Sequence, residues 1–234
     1  MTTSLVNAQV EFINPLTDSI LQIILSPERY IDYQPGQYLE LLCGNNAFSY
    51  SIANAPLGAH NYELHIRHSQ DNPYNQQLLA EIKQNGAVTI RLPLGNCYLD
   101  KLHPDRPIVF IAGGTGFAPI KAMIEQLLAE GDKRHIELFW GARSQSDLYM
   151  NEKVVQWQTH VTHFHYFSLL SINNKETLAT RMLTHHQTDL KHWQFVIGGP
   201  FDMVYTIRDS LVAQGVCPSQ LFSDAFSFEK KEDD

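Results

Sequence analysis

From Leu5 to about Leu92, apolar and polar residues alternate in short runs. In "LVNAQVEFI", Val6, Ala8, Val10 and Phe12 are separated by polar residues, and in "AVTIRL" so are Val88, Ile90 and Leu92. A period of two places alternate side chains on opposite faces of a strand. "ILQIILS", "QYLELLC", "FSYSIANA" and "NYELHIRH" share this texture, and Pro15, Pro35-Gly36, Asn45-Asn46, Pro56 and Gly58 break the runs. Closely spaced strands with such turns predict an antiparallel barrel or sandwich. One stretch with helical spacing, "NQQLLAEIKQ", falls between the last two strands.

Beyond "PLGNCYLDKLHPDRP" the pattern changes. The buried-strand runs "IVFIAGG", "HIELFWGA", "VTHFHYFSLL" and "WQFVIGG" alternate with the helical "APIKAMIEQLLAEG", "NEKVVQWQ", "KETLATRMLTHH" and "PFDMVYTIRDSLVAQG". Alternating strands and helices predict a parallel sheet with both faces covered. The fold class expected is therefore β plus α/β. Residues 1–103 form an antiparallel domain and residues 104–234 a nucleotide-binding α/β domain, with the boundary near His103–Asp105. The final "EKKEDD" reads as a solvated end.

Composition narrows the function classes. With 234 residues, 44% apolar and 18% charged, the chain has ample material for a core. A formal net charge of -8 leaves no basic surplus to displace counterions, so nucleic acid is not an expected partner. No apolar run approaches the ~20 residues of a membrane span, and "MTTSLVNAQVEF" lacks the basic flank and apolar core of a signal peptide. A cytoplasmic protein, monomeric and without membrane association, is the expectation. Cys43, Cys97 and Cys217 are widely spaced and make no CxxC, which argues against an iron–sulfur cluster.

The chemistry concentrates at two glycine turns. "VFIAGGTGFAP" carries a buried strand into Gly113, Gly114, Thr115 and Gly116, with Pro119 in the opening of the following helix. Proline suits a first helical turn, where its missing N–H would have had no partner. Backbone N–H groups and the helix dipole then favour a phosphate, although a purely structural turn has the same signature. No Lys-Ser or Lys-Thr follows the glycines, as a nucleoside-triphosphate loop requires, and the spacing is not GxGxxG. "FVIGGPFDMV" repeats the arrangement with Gly198, Gly199 and Pro200, then Met203 in the helix. Two such turns in one sheet can form two walls of a single crevice, one for a pyrophosphate and one beside a nicotinamide.

"PGQYL", "YSIANAP", "ELHIR", "AGGTGFAP", "WGAR", "GGPFDMV" and "SDAFSFE" occur in this order over nearly the whole chain. Together they resemble the ferredoxin-NADP reductase superfamily. Within it they are most similar to short NAD(P)H:flavin reductases and to the flavin/NAD module of CDP-6-deoxy-glucoseen reductase-like proteins. The resemblance implies a six-stranded flavin-binding barrel, a pyridine-nucleotide domain, and hydride transfer from nicotinamide to flavin. It implies that Tyr50 lies against the isoalloxazine ring and that the catalytic Ser51 orients its reactive nitrogen. Ile52 and Ala53 would continue that strand past the ring. His65, Ile66 and Arg67 would lie near the flavin's tail or pyrimidine side, with Tyr74 in a phosphate segment that also holds Asn72 and Asn75. Asp224 and Phe226 match the family's closing segment near both cofactors, and Gly198 stands where many relatives carry Cys.

One departure bears on the cofactor. Phe48 occupies the position of a family Arg that commonly lies near the flavin phosphate. Loss of that charge-assisted contact weakens the hold on phosphate more than on the ring. The cofactors expected are thus FAD, or FMN or riboflavin as a dissociable flavin, together with NADH or NADPH. Arg143 and Ser144 fall where the nucleotide ribose should lie, and Arg143 either favours a 2'-phosphate or stabilises a loop.

The expected activity is NAD(P)H:flavin oxidoreductase, with free flavin as acceptor. The alternatives are an electron-transfer reductase serving an oxygenase or iron–sulfur partner, and a flavin- or nucleotide-binding regulator without turnover. "HVTHFHY" places His163 and His165 on one face of an expected strand, but no nearby Cys or carboxylate completes a ligand set, so no metal is expected. His185 and His186 end a helix, where positive charge is welcome.

Overall fold

The computed structural model describes residues 2–68, 73–172 and 176–228, with the side chains of all these except 73–75. Two compact units emerge: Met1–Asp100 with Ala118–Gly131, and Lys101–Phe117 with Asp132–Asp234.

In the first unit the alternating runs become β1 (Ser4–Thr17), β2 (Ile20–Pro27), β3 (Tyr38–Cys43), β4 (Asn46–Ser51), β5 (Tyr62–Arg67) and β6 (Ala87–Leu94). Helix α1 (Pro73–Asn85) separates the last two. All pairings are antiparallel, in the order β4-β3-β6-β1-β2-β5. The two ends of this sheet meet at a single bridge, Ile52 to Leu64, just beyond β4. β1 serves both neighbours because it is long: Ser4–Gln9 pairs with β6 and Ala8–Thr17 with β2. Register shifts between Val10 and Phe12 and between Pro15 and Thr17 bend it, as bulges do. Alternation then buries Leu39, Leu41, Leu64, Ile66, Val88 and Ile90 in one core.

The second unit contains β7 (Ile108–Gly113), β8 (Ile136–Ala142), β9 (Phe164–Leu170), β10 (Gln194–Gly198) and the short β11 (Leu221–Phe222). They form a parallel sheet in the order β11-β10-β7-β8-β9. Helix α2 (Phe117–Ala129) follows β7, α3 (Asn151–His160) follows β8, α4 (Leu178–His185) follows β9 and α5 (Phe201–Ala213) follows β10. Near-continuous apolar strands such as "IVFIA" are what a sheet covered on both faces requires. Residues 118–131, nearly all of α2, group with the antiparallel unit, which no linear reading of the chain could express.

One expectation is overturned here. β9 starts at Phe164, so His163 lies in the turn before it, and its carbonyl accepts a hydrogen bond from Ile136 N–H. His163 and His165 therefore do not share a strand face. No helix among the described residues is long and apolar enough to cross a membrane.

Candidate functional site

In the second unit, the chain runs from β7 outward through β8 to β9, then returns to the other side of β7 as β10. Strand order reverses between β7 and β10, and open α/β sheets bind ligands beyond the carboxyl ends of the strands at such a point. Both glycine turns are there. Gly113 ends β7, Gly114–Gly116 form a short helical turn, and α2 begins at Phe117. Gly198 ends β10, and Gly199 and Pro200 lead into α5.

The turns touch backbone to backbone. A Cβ on Gly116 would lie 2.2 Å from the carbonyl carbon and oxygen of Gly198 and 2.4 Å from Gly199 N. A Cβ on Gly198 would lie 2.5 Å from Gly116 O. Only glycine at both positions permits this approach. The thioether of Met203 packs against the same place, since a Cβ on Gly113 would meet its sulfur at 2.6 Å. Gly114 has another reason to be glycine, a left-handed φ of 54°. Its carbonyl accepts a hydrogen bond from the Trp140 indole, Nε1 to O 3.1 Å. Trp140 stacks on Phe117 with ring centroids 4.0 Å apart, so β8 grips the turn from beneath. The turn opens directly into α2, whose N-terminal end carries the partial positive charge that favours an anion. Thr115 is half-buried within the turn, and Pro119 is the third residue of α2.

Arg143 is exposed just past β8, whose Gly141 pairs with Gly113. Ser144 is engaged otherwise: its hydroxyl and its N–H both donate to Asp147 Oδ2, at 2.8 and 3.0 Å. Asp224 and Phe226 belong to a 3-10 turn, residues 224–228, held to α5 by Tyr205. The Tyr205 hydroxyl donates to Ala225 O at 2.9 Å, and the Phe226 ring lies 6.4 Å from the Tyr205 ring.

In the first unit, Tyr50 and Ser51 are half-buried on β4, and Phe48 packs on the barrel core on the same side as Tyr50. Burial pushes the Tyr50 phenol up to about 12. Among the described strands β4 pairs along its length with β3 alone, and the bridge from Ile52 to Leu64 follows just beyond it. Ile52, Ala53 and Ile66 have no exposure at all, so their side chains offer a ligand no surface. Arg67 is exposed. Asn72 and the side chains of Tyr74 and Asn75 lie outside the described residues.

His65 has a different setting from the one expected. It is 4% exposed and lies 2.9 Å from Glu63 Oε1. A carboxylate only accepts, so the imidazole Nε2–H donates, and burial lowers the ring from its ordinary value. Glu63 Oε1 also accepts from Gln22 Nε2 at 2.7 Å. On its other side stands Lys121 of α2, 3% exposed, whose ammonium donates to Glu63 Oε2 and Ala53 O at 2.9 Å and to Glu125 Oε2 at 3.1 Å. All three of its protons are thus satisfied. Burial alone would raise the Glu63 carboxyl, but the His65 hydrogen bond and the Lys121 charge outweigh it and hold the group well below the usual carboxylate range. This network fixes the backbone two residues beyond Ser51. It escaped the sequence reading, although a lysine within the apolar "APIKAMI" was a signal: such a helix has no exposed face to spare for it.

Residues 110–209 match the oxidoreductase NAD-binding domain family. The chain is 31% identical over 213 residues to the CDP-6-deoxy-L-threo-D-glycero-4-hexulose-3-dehydrase reductase of Yersinia pestis, covering 89% of this chain and 64% of that protein. It is 26% identical over 235 residues to the NAD(P)H-flavin reductase of Vibrio harveyi, covering 95% and 99% respectively. The chain thus spans just under two thirds of the dehydrase reductase and nearly all of the flavin reductase. Among solved structures, the Amycolatopsis cytochrome P450 reductase GcoB superposes with a TM-score of 0.81 at 21% identity, over 95% of this chain and 69% of that one. A ferredoxin NADP+ reductase from Neisseria gonorrhoeae, with bound FAD and NADP, superposes with a TM-score of 0.72 at 16% identity, over 92% of each chain. At these identities the superpositions show a shared fold.

Proposed function

Because the chain belongs to the ferredoxin-NADP reductase superfamily, we propose that it is an NAD(P)H-dependent flavin oxidoreductase acting as a cytoplasmic monomer. The observation that carries this reading is the meeting of both glycine turns at the strand-order reversal, in a backbone-to-backbone contact that any Cβ would break. In this reading residues 104–234 serve the nucleotide and residues 1–103 the flavin. Gly113, Gly114, Thr115 and Gly116, with the α2 terminus, bind the pyrophosphate. Gly198, Gly199, Pro200 and Met203 wall the nicotinamide side, Arg143 reaches the ribose, and Asp224 and Phe226 close over the site.

Tyr50 supports the flavin ring, and Ser51 holds a hydrogen bond at the reactive nitrogen. The paired cofactors supply the hydride chemistry. The chain contributes orientation and exclusion of water. Phe48 brings no cation to the flavin phosphate, which fits a dissociable flavin.

Steady-state NAD(P)H oxidation with and without added free flavin tests the activity, and stimulation by free flavin is the expected result. Ser51→Ala should slow flavin reduction in a single turnover by roughly ten- to a hundredfold, ~1.4–2.7 kcal/mol of barrier, while flavin still binds. Unaltered single-turnover reduction would remove Ser51 from the mechanism.

The similarity to the longer dehydrase reductase favours a second reading, electron transfer to a protein acceptor. Turnover that needs a protein and ignores free flavin would select it.

A further inference from the structure

At the other end of the parallel sheet lies a cluster that the proposed oxidoreductase chemistry does not use. Glu137 is the second residue of β8, about 13 Å by strand rise from Gly141 beside the glycine turn. His185 ends α4 and His186 follows it. We infer that Glu137, His185 and His186 form a binding site for a divalent transition metal of the zinc class.

Three donor atoms converge there. Glu137 Oε2 lies 3.0 Å from His186 Nε2 and 3.4 Å from His185 Nε2. Tetrahedral ligands at ~2.0–2.1 Å from one zinc ion stand about 3.3 Å apart, so the spacing matches a shared ion. Direction separates this from an ordinary ion pair. Glu137 and His186 are 5% and 3% exposed, yet neither Glu137 Oε2 nor His186 Nε2 has a well-directed hydrogen-bond partner among the described residues. Buried polar atoms are rarely left so. Two such atoms 3.0 Å apart, with His185 Nε2 3.4 Å from the same oxygen, are close enough to share one ion.

The surroundings supply a second, independent indication. A histidine that binds metal through one ring nitrogen almost always gives the other ring N–H to a carboxylate or carbonyl. His186 Nδ1 lies 3.2 Å from Asp189 Oδ1, and Asp189 is itself held by the Trp193 indole, Nε1 to Oδ2 3.0 Å. That chain fixes the ring so that Nε2 faces Glu137. The C-terminal end of α4 adds a favourable field for a cation.

His185 is partly exposed and leaves the site open on one side, where water completes the coordination. His135 stands there too, its Nε2 3.5 Å from Glu137 Oε1. Imidazoles with one carboxylate suit zinc, copper or nickel rather than calcium or magnesium, which take oxygen sets. Bound metal would tie β8 to the end of α4, which points to a stabilising role.

Zinc titration by calorimetry of the full chain, stripped with a chelator at neutral pH, tests the site. One saturating equivalent is expected, with a raised unfolding temperature. His185→Ala, at a partly exposed position, should weaken binding at least tenfold with an unchanged circular dichroism spectrum. Asp189→Asn, which touches no metal, should weaken it ten- to a hundredfold. Cobalt(II) should give the intense visible bands of a tetrahedral site in the wild type and lose them in His185→Ala. Failure of the wild type to bind zinc would overturn the inference and leave a Glu137–His186 ion pair. Wild-type affinity in both folded variants would overturn it equally, by placing the ion elsewhere. Neither result touches the oxidoreductase reading, which flavin-stimulated NAD(P)H oxidation tests by itself.

Discussion

Gly116→Ala is expected to raise the Michaelis constant for the nicotinamide nucleotide at least tenfold, and toward a hundredfold, while flavin affinity stays within about twofold. The added methyl meets Gly198 backbone atoms at 2.2 Å, where ordinary contact needs 3.4 Å. One wall must therefore retreat by roughly 1.2 Å, and a misplacement of about 1 Å in a binding constellation can cost about a hundredfold. Backbone strain is not the cause, because Gly116, unlike Gly114, is outside the left-handed region. This makes Gly116 the sharper test: Gly114→Val would strain a φ of 54° as well as crowd the ligand. Steady-state kinetics with NADH or NADPH, beside a flavin titration, measure both quantities. A folded Gly116→Ala protein with an unchanged Michaelis constant would take the nucleotide away from these turns.

Lys121→Met is expected to destabilise the protein by about 3–5 kcal/mol at pH 7, because it leaves the buried Glu63 carboxylate without its cation. The side chains of Lys121 and Glu63 are 3% and 10% exposed, so solvent does little to screen the loss. The pH dependence identifies the mechanism. In the wild type the Glu63 carboxyl is depressed, so its contribution is complete above the ordinary value of 4.5 and fades only as pH falls through the lower folded value. In the variant the carboxyl keeps the His65 hydrogen bond but loses the Lys121 charge, so its value rises from the wild-type one and it takes up a proton at a higher pH as the solution is acidified. The difference between the two proteins should therefore narrow below neutral pH. Adding Glu63→Gln to the variant should recover part of the loss at pH 7. Urea unfolding at pH 7 and pH 5 measures this. A deficit below about 1 kcal/mol would assign the pair the modest weight of a surface ion pair.

Both predictions show where sequence patterning stops. Period-two alternation located β1 through β6, and apolar runs between helical stretches located β7 through β10, because burial of one face or two leaves a local trace. Leu221-Phe222 is too short to show a period, so β11 was invisible. The glycine turns were legible, and so was their pairing in one sheet; their backbone-to-backbone contact was not, since it depends on β10 lying beside β7 rather than beyond β9. His163 and His165 looked like a pair only because the start of β9 was placed too early. Glu137 and His185, 48 residues apart, meet through packing of α4 on β8, which no local pattern encodes. Lys121 was within reach: its apolar neighbours announced burial, and burial demanded partners.

The allocation of residues 118–131 to the antiparallel unit has a consequence for synthesis. A ribosome releases the chain from its N-terminus, and domains generally fold as they emerge. Here the six strands are complete once Leu94 is out, yet the ammonium that neutralises Glu63 is still to be made. Until Lys121 emerges, the nascent barrel must either keep Glu63 in water or carry it protonated. The first unit thus acquires its final stability only after β7, a strand of the second, has been translated. Assembly of the two halves is interleaved in time, and a nascent chain paused near residue 100 would present to chaperones an unfinished barrel rather than a finished module.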